Sequence, residues 1–97
     1  MSTESASIRQ QIIELLTEKH LGAWELSQDL GIREAEVYHH LDHVARSLAS
    51  RNRRLEMVPA SCLACGYQFI KRRRHTPPGR CPRCKSSHLS QPRYRVR

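Results

Sequence analysis

All four cysteines of this 97-residue chain lie between positions 62 and 84, as Cys62-Leu63-Ala64-Cys65 and Cys81-Pro82-Arg83-Cys84. Two Cys-x-x-Cys pairs separated by about 15 to 20 residues can wrap four thiolates tetrahedrally around one zinc ion. Each pair must turn sharply for both sulfurs to reach the metal. Gly66 supplies the left-handed backbone such a turn needs, and Pro82 stiffens the second pair by fixing φ. Four thiolates leave no open coordination position, so one structural Zn2+ is expected rather than a catalytic one.

Two other chemistries suit the same cysteines. Met1 to Ser7 is polar and has no apolar h-region, so a reducing cytoplasm is expected, where two disulfides would not persist. Cys-x-x-Cys-Gly followed by Cys-Pro-x-Cys also resembles rubredoxin, which binds iron, although its pairs are usually further apart and a redox centre has no need of the arginines clustered here. Tyr67, Phe69 and Ile70 offer a short strand after the first turn. A zinc ribbon, two β-hairpins joined by the metal, is therefore expected.

No run approaches the ~18 apolar residues of a membrane-spanning helix, and no membrane association is expected. The net charge of +8 is unevenly distributed. Residues 1–45 carry three basic side chains (Arg9, Lys19, Arg33) against eight acidic ones, a net of −5. Residues 46–97 carry fourteen basic side chains and only Glu56 on the acidic side, a net of +13. Such an asymmetry points the second half at a polyanion, with nucleic acid the leading partner. No nucleophile–base pair, open metal site or phosphate loop is visible, so no enzymatic activity is expected.

Positioning the cysteines and arginines requires a scaffold. Ser7 and Gln10 fit a capping box, and Ile8, Ile12, Leu15 and Leu16 recur at helical spacing, predicting a helix over about 8–20. His20-Leu21-Gly22 breaks it. Ala23 to Leu30 reads as a short second helix with Trp24, Leu26 and Leu30 facing inward, closed by a left-handed Gly31. Val37, Leu41, Val44 and Leu48 form one stripe of a third helix from Glu34 to about residue 50. Leu55 to Val58 alternates as a strand that Pro59 limits to an edge or an end. Arg93-Tyr94-Arg95-Val96-Arg97 alternates strictly. The segment 59–97 holds few large apolar residues, so metal binding is expected to stabilise it. Between the cysteine pairs, Lys71 to Arg80 reads as an exposed, basic arm broken by Pro77-Pro78-Gly79.

Three such helices with a Gly-Ile turn make a helix-turn-helix. Trp24-Glu25-Leu26-Ser27-Gln28-Asp29-Leu30-Gly31-Ile32 and Val37-Tyr38-His39-His40-Leu41 resemble the winged helix-turn-helix of bacterial and archaeal repressors. With Thr76-Pro77-Pro78-x-Arg80-Cys81-Pro82-x-Cys84 following, nearly the whole chain resembles predicted prokaryotic transcriptional regulators in which a helix-turn-helix is fused to a zinc ribbon. The expected fold class is α+β: a three-helix winged helix-turn-helix over 1–58, then a small β zinc ribbon over 59–92. The C-terminal strand, 93–97, is expected to pair with 54–58.

The resemblance implies binding to double-stranded DNA and gene regulation. In that mode the third helix faces the major groove through Arg33, Glu36 and His39. Glu34 and Glu36 also oppose the helix dipole favourably, and with Asp42 they repel phosphate. The phosphate contacts are therefore expected from Arg46, Arg51, Arg53 and Arg54 and from Lys71, Arg72, Arg73 and Arg74. An adaptor docking on RNA polymerase or another protein of the transcription machinery is the alternative, and RNA is an alternative nucleic acid. A homodimer is an expectation by analogy with the fold. His39 and His43, one helical turn apart, are a lesser candidate for a second metal site, and Trp24 and Tyr38 are expected in or beside the core.

Overall fold

The computed structural model describes residues 3–97, with side chains from residue 8 onward. Its elements are α1 (Thr3–Glu18), β1 (Leu21–Gly22), α2 (Ala23–Leu30), α3 (Glu34–Ser50), β2 (Leu55–Val58) and β3 (Arg93–Val96). The architecture is α+β: three helices, a small three-stranded antiparallel sheet, and a ribbon looped out between β2 and β3. Helix α1 already runs from Thr3, so residue 7 lies within it and the expected capping box does not start it; the Ser7 side chain itself lies outside the described residues.

The helices pack through the stripes that their spacing predicts. Ile12, Ile13 and Leu16 of α1, Leu26 of α2, and Val37, Leu41, Val44 and Leu48 of α3 are all buried in one core. Each fully buried Leu or Ile contributes about 1.5–3 kcal/mol, which is enough to set the mutual placement of helices this short. Gly31 takes φ 67° and its N–H bonds back to the Ser27 carbonyl, as does that of Ile32 at 3.1 Å. This left-handed stop ends α2 and turns the chain into α3. At the far end of α3, Asn52 is also left-handed, with φ 60°, and the Arg53 N–H returns to the Leu48 carbonyl at 2.8 Å.

Trp24 departs from expectation. It is 61% exposed, because at 100° per residue it lies about 200° round the helix from the buried Leu26; Gly22 caps α2, and the Glu25 carboxylate accepts the Gly22 N–H at 3.1 Å. In that register Ala23, Leu26 and Ser27 face inward and Trp24 faces out. Tyr38 does pack against the core.

Strand order is β1-β3-β2, so the C-terminal strand is the central one. Tyr94 pairs with Leu21 on one side and Met57 on the other, and Arg93 pairs with Gly22 and Val58. Reciprocal hydrogen bonds between Arg54 and Arg97 extend the β2–β3 ladder. The two-residue strand β1 lies where the sequence reads only a helix break. Among the described residues, no helix is long and apolar enough to cross a membrane.

His40, outwardly part of a histidine run, turns into the core and accepts a hydrogen bond from Arg9 Nε at Nδ1, 3.2 Å away. Burial, then the Arg9 guanidinium and the neighbouring His39 ring, hold it below the ordinary histidine range, with Glu36 acting in the opposite sense. The unfolded chain therefore takes up this proton first as pH falls below about 6.5, and stability is lost from there down towards the folded value. Above that range the group is neutral in both states and contributes no slope. Urea unfolding at about pH 7.5 and about pH 5.5 is expected to show the loss, and His40→Gln to shrink it.

Candidate metal centre and cationic face

The ribbon is built of two similar turns. In the first, the Gly66 N–H bonds the Cys62 carbonyl at 2.8 Å and the Cys62 N–H bonds the Tyr67 carbonyl at 2.7 Å. In the second, the Lys85 N–H bonds the Cys81 carbonyl at 2.9 Å and the Cys81 N–H bonds the Ser86 carbonyl at 2.9 Å. Gly66 and Lys85 hold equivalent places just after each pair's second cysteine, with φ 82° and 67°. A left-handed conformation is free for glycine but costs a lysine about 1–2 kcal/mol, so the turn geometry is imposed by the sulfurs and not by local preference.

All four Sγ atoms lie within 4.8 Å of one another, with Cys62–Cys84 at 3.5 Å and Cys65–Cys81 at 3.6 Å. Tetrahedral Zn–S bonds of about 2.3 Å require sulfurs about 3.8 Å apart, so the donor set fits one Zn2+. Burial raises the Cys81 thiol, but the Cys84 and Arg83 amides, aimed at its sulfur from 3.5 and 3.4 Å, outweigh it and bring it down to about 7. A Ser86 backbone hydrogen bond favours the Cys84 thiolate, yet the neighbouring Cys62 sulfur and burial push this thiol up to about 12. One thiolate forms readily and the last does not unless a cation sits among them. The metal, when bound, supplies about 10–16 kcal/mol of folding free energy and no reactive position.

The ribbon has little else to hold it. Of the expected strand at Tyr67, Phe69 and Ile70, only a bridge between Ser61 and Gln68 forms, with a second bridge joining Cys62 to Leu89. The two hairpins thus reduce to a central thread, 60–63, with one bridge and two backbone hydrogen bonds on each side. Phe69 is buried with Tyr67 edge-on at 5.0 Å, whereas Ile70 is 70% exposed. With so small an apolar interior, the cysteines are the ribbon's core.

The basic arm is not free. The Tyr94 hydroxyl, within the helical core, donates to the His75 carbonyl, and His75 Nδ1 meets Asp42 Oδ1 of α3 at 2.7 Å. Arg72 turns back on its own loop, donating through Nε to the Thr76 carbonyl at 3.0 Å and through Nη2 to the Thr76 hydroxyl at 3.2 Å. Lys71, Arg73 and Arg74 are exposed and have no ion-pair partner among the described residues.

At 100° per residue, Ala35, His39, Asp42 and Arg46 share the exposed face of α3, opposite the core stripe. The arm lies along one flank, where Tyr38, Asp42, Arg74, His75 and Thr76 line a cleft. On the other flank Arg9, Gln10, His43, Ser47 and Arg51 line a second groove. Arg33 is engaged by Glu36, 3.1 Å away, which occupies two of the residues expected to read bases. Arg51 and Arg53 sit at the C-terminal, negative end of the α3 dipole, while Arg54 shares Glu56 with Arg97. His39 and His43 lie edge-on with centroids 4.8 Å apart, but among the described residues only the four cysteines gather three or more ligands. Arg9, His75 and Tyr94 were invisible as contributors, since their contacts span 31, 33 and 19 residues of sequence.

A helical module carrying a four-cysteine zinc ribbon defines a class of small zinc-binding proteins. Residues 7–56 match the model described as PF0610-like, N-terminal, and residues 59–97 match the PF0610 rubredoxin-like zinc beta-ribbon domain. The chain belongs to the PF0610-like family. The solution NMR structure of protein PF0610 from Pyrococcus furiosus is similar to it, with TM-score 0.79 and 29% identity, covering 95% of this chain and 90% of that one. No curated protein matches. The ribbon thus belongs to a rubredoxin-like zinc β-ribbon domain, and its four cysteines are the donor set for one structural Zn2+.

Chelation is expected to collapse the ribbon and release the arm while the helices persist, which hydrogen exchange would register as lost protection over residues 59–92 with protection in α1, α3 and β3 retained. Lys85→Gly is expected to raise the holo-protein's stability by about 1 kcal/mol by relieving the left-handed lysine, as measured by denaturant midpoint.

Proposed function

We propose that this protein is a DNA-binding transcriptional regulator in which α2 and α3 form a helix-turn-helix and the zinc ribbon takes the place of the wing. The observation that carries this reading is the docking of the arm against α3 through His75. It sets Arg74, which has no ion-pair partner among the described residues, along one flank of the helix, while Arg9, His43 and Arg51 line the groove on the other. The face between them carries His39 and Arg46. A helix seated in the major groove has a phosphate rail on each side, and cations on both flanks of α3 would meet those rails. The carboxylate of Asp42, which alone would repel phosphate, is engaged by His75.

Glu34 and Glu36 remain on the first turn of α3, so affinity in this reading comes from the flanks more than from the helix tip. The exposed Trp24, Leu63 and Ile70 favour a second reading, an adaptor docked on RNA polymerase or another protein. Capture of polymerase subunits without salt-sensitive DNA binding would select it.

Titrating duplex DNA at rising salt tests the first reading. The log of the affinity is expected to fall linearly with log salt, and Arg51→Ala and Arg73→Ala each to reduce the slope by about 0.9. Affinity that does not respond to salt would rule it out.

A further inference from the structure

We propose that the cleft between α3 and the arm is a base-reading site that takes the major-groove edge of one G·C pair in duplex DNA, with Arg74 on guanine and Asp42 on cytosine. The inference rests on the DNA-binding reading above and goes beyond it: Arg74 reads a base there instead of gripping a phosphate.

The cleft, about 380 Å3 in volume, is lined by Tyr38, Asp42, Arg74, His75 and Thr76. His75 Nδ1 engages Oδ1 of the Asp42 carboxylate, and among the described residues Oδ2 has no hydrogen-bond partner. Arg74 likewise has no carboxylate partner among them. The cleft therefore presents a forked cationic donor, a free acceptor oxygen and the Tyr38 hydroxyl. Tyr38 stays protonated and able to donate, since burial and then the Glu34 charge hold its phenol above the ordinary value.

Such a mixed set selects its ligand class. A phosphate would gain Arg74 but meet the Asp42 carboxylate. A base-pair edge is neutral and offers both acceptors and donors. Guanine presents O6 and N7, which the arginine fork meets two at a time, and its cytosine partner presents the N4 amino group to a carboxylate. With adenine opposite Arg74, the N6 amino group would face the guanidinium, donor against donor. Duplex RNA is disfavoured because its major groove is too deep and narrow for side chains to reach.

His75 is a positioning residue: it fixes the Asp42 carboxylate through Oδ1, and the hydroxyl of Tyr94 fixes the arm through the His75 carbonyl. The arm brings Arg74 to a helix face that, by its own sequence, carries no arginine before Arg46.

The zinc-loaded full chain would be used to select from random duplex DNA and then titrated with the selected duplex and with versions carrying single-pair changes. One position is expected to recur as G·C, and its replacement by A·T to weaken binding roughly 5- to 150-fold. Arg74→Ala and Asp42→Asn are each expected to abolish that preference while salt-sensitive binding remains. Arg74→Lys, which keeps the charge and loses the fork, is expected to do the same with little change in overall affinity. His75→Ala is expected to lower the preference ratio with zinc content and helical signal unchanged. A G·C preference untouched by Arg74→Ala and Asp42→Asn, or salt-sensitive duplex binding with no base preference, overturns this inference and leaves the DNA-binding reading standing. Enrichment of RNA over duplex DNA, or no salt-sensitive binding at all, overturns both.

Discussion

Four cysteine sulfurs held within 4.8 Å cannot all be thiolates unless a cation shares their space. The Cys81 thiol is drawn down while that of Cys84 is pushed up, which is what a shared and limited negative charge looks like before the metal is counted. Zinc removes the conflict and in doing so closes the chain between Cys65 and Cys81, within which the whole basic arm is suspended. The apolar interior of the ribbon amounts to little more than Ala60, Phe69 and the ligands Cys62 and Cys81, so no hydrophobic core could close that loop in the metal's place. The left-handed Lys85 gives the same message locally, since a lysine adopts that conformation only when stronger bonds require it.

What the closed loop presents is decided by one tyrosine. Tyr94 sits in the central strand between Leu21 and Met57, is 0% exposed, and sends its hydroxyl out of the helical core to the His75 carbonyl. Burial, with the neighbouring Tyr38 acting the same way, keeps that phenol well above its ordinary value, so it remains a donor. The packing of the helices and the placement of the arm are thereby joined through a single side chain. His75 completes the join by reaching Asp42 on α3.

This coupling changes the meaning of the charge distribution. An acidic first half and a basic second half suggest two surfaces with different tasks. Folding instead lays the basic arm beside an acidic position of α3 and, through Arg9, sets a cation from the acidic half against the other side of the same helix. Opposite charges far apart in sequence become neighbours on one face, as Asp42 does with His75 and Arg74 in the cleft that the proposed DNA-binding role uses.

Local rules carried much of this into the sequence itself. The cysteine spacing determined the zinc site, because four ligands and one ion leave few geometries. The periods of apolar residues determined α2, α3 and the two longer strands, because a buried stripe needs one repeat or the other. The exposure of Trp24 was legible and misread, since residues 24 and 26 lie about 200° apart on a helix and cannot share its inward face. Strand β1 was not legible, because its two residues earn their conformation only by pairing with β3. The orientation of His40 and the docking of the arm were likewise decided in three dimensions, by Arg9, Tyr94 and Asp42. Those contacts join residues 19 to 33 positions apart, and no local propensity or periodicity reports on partners at such a distance.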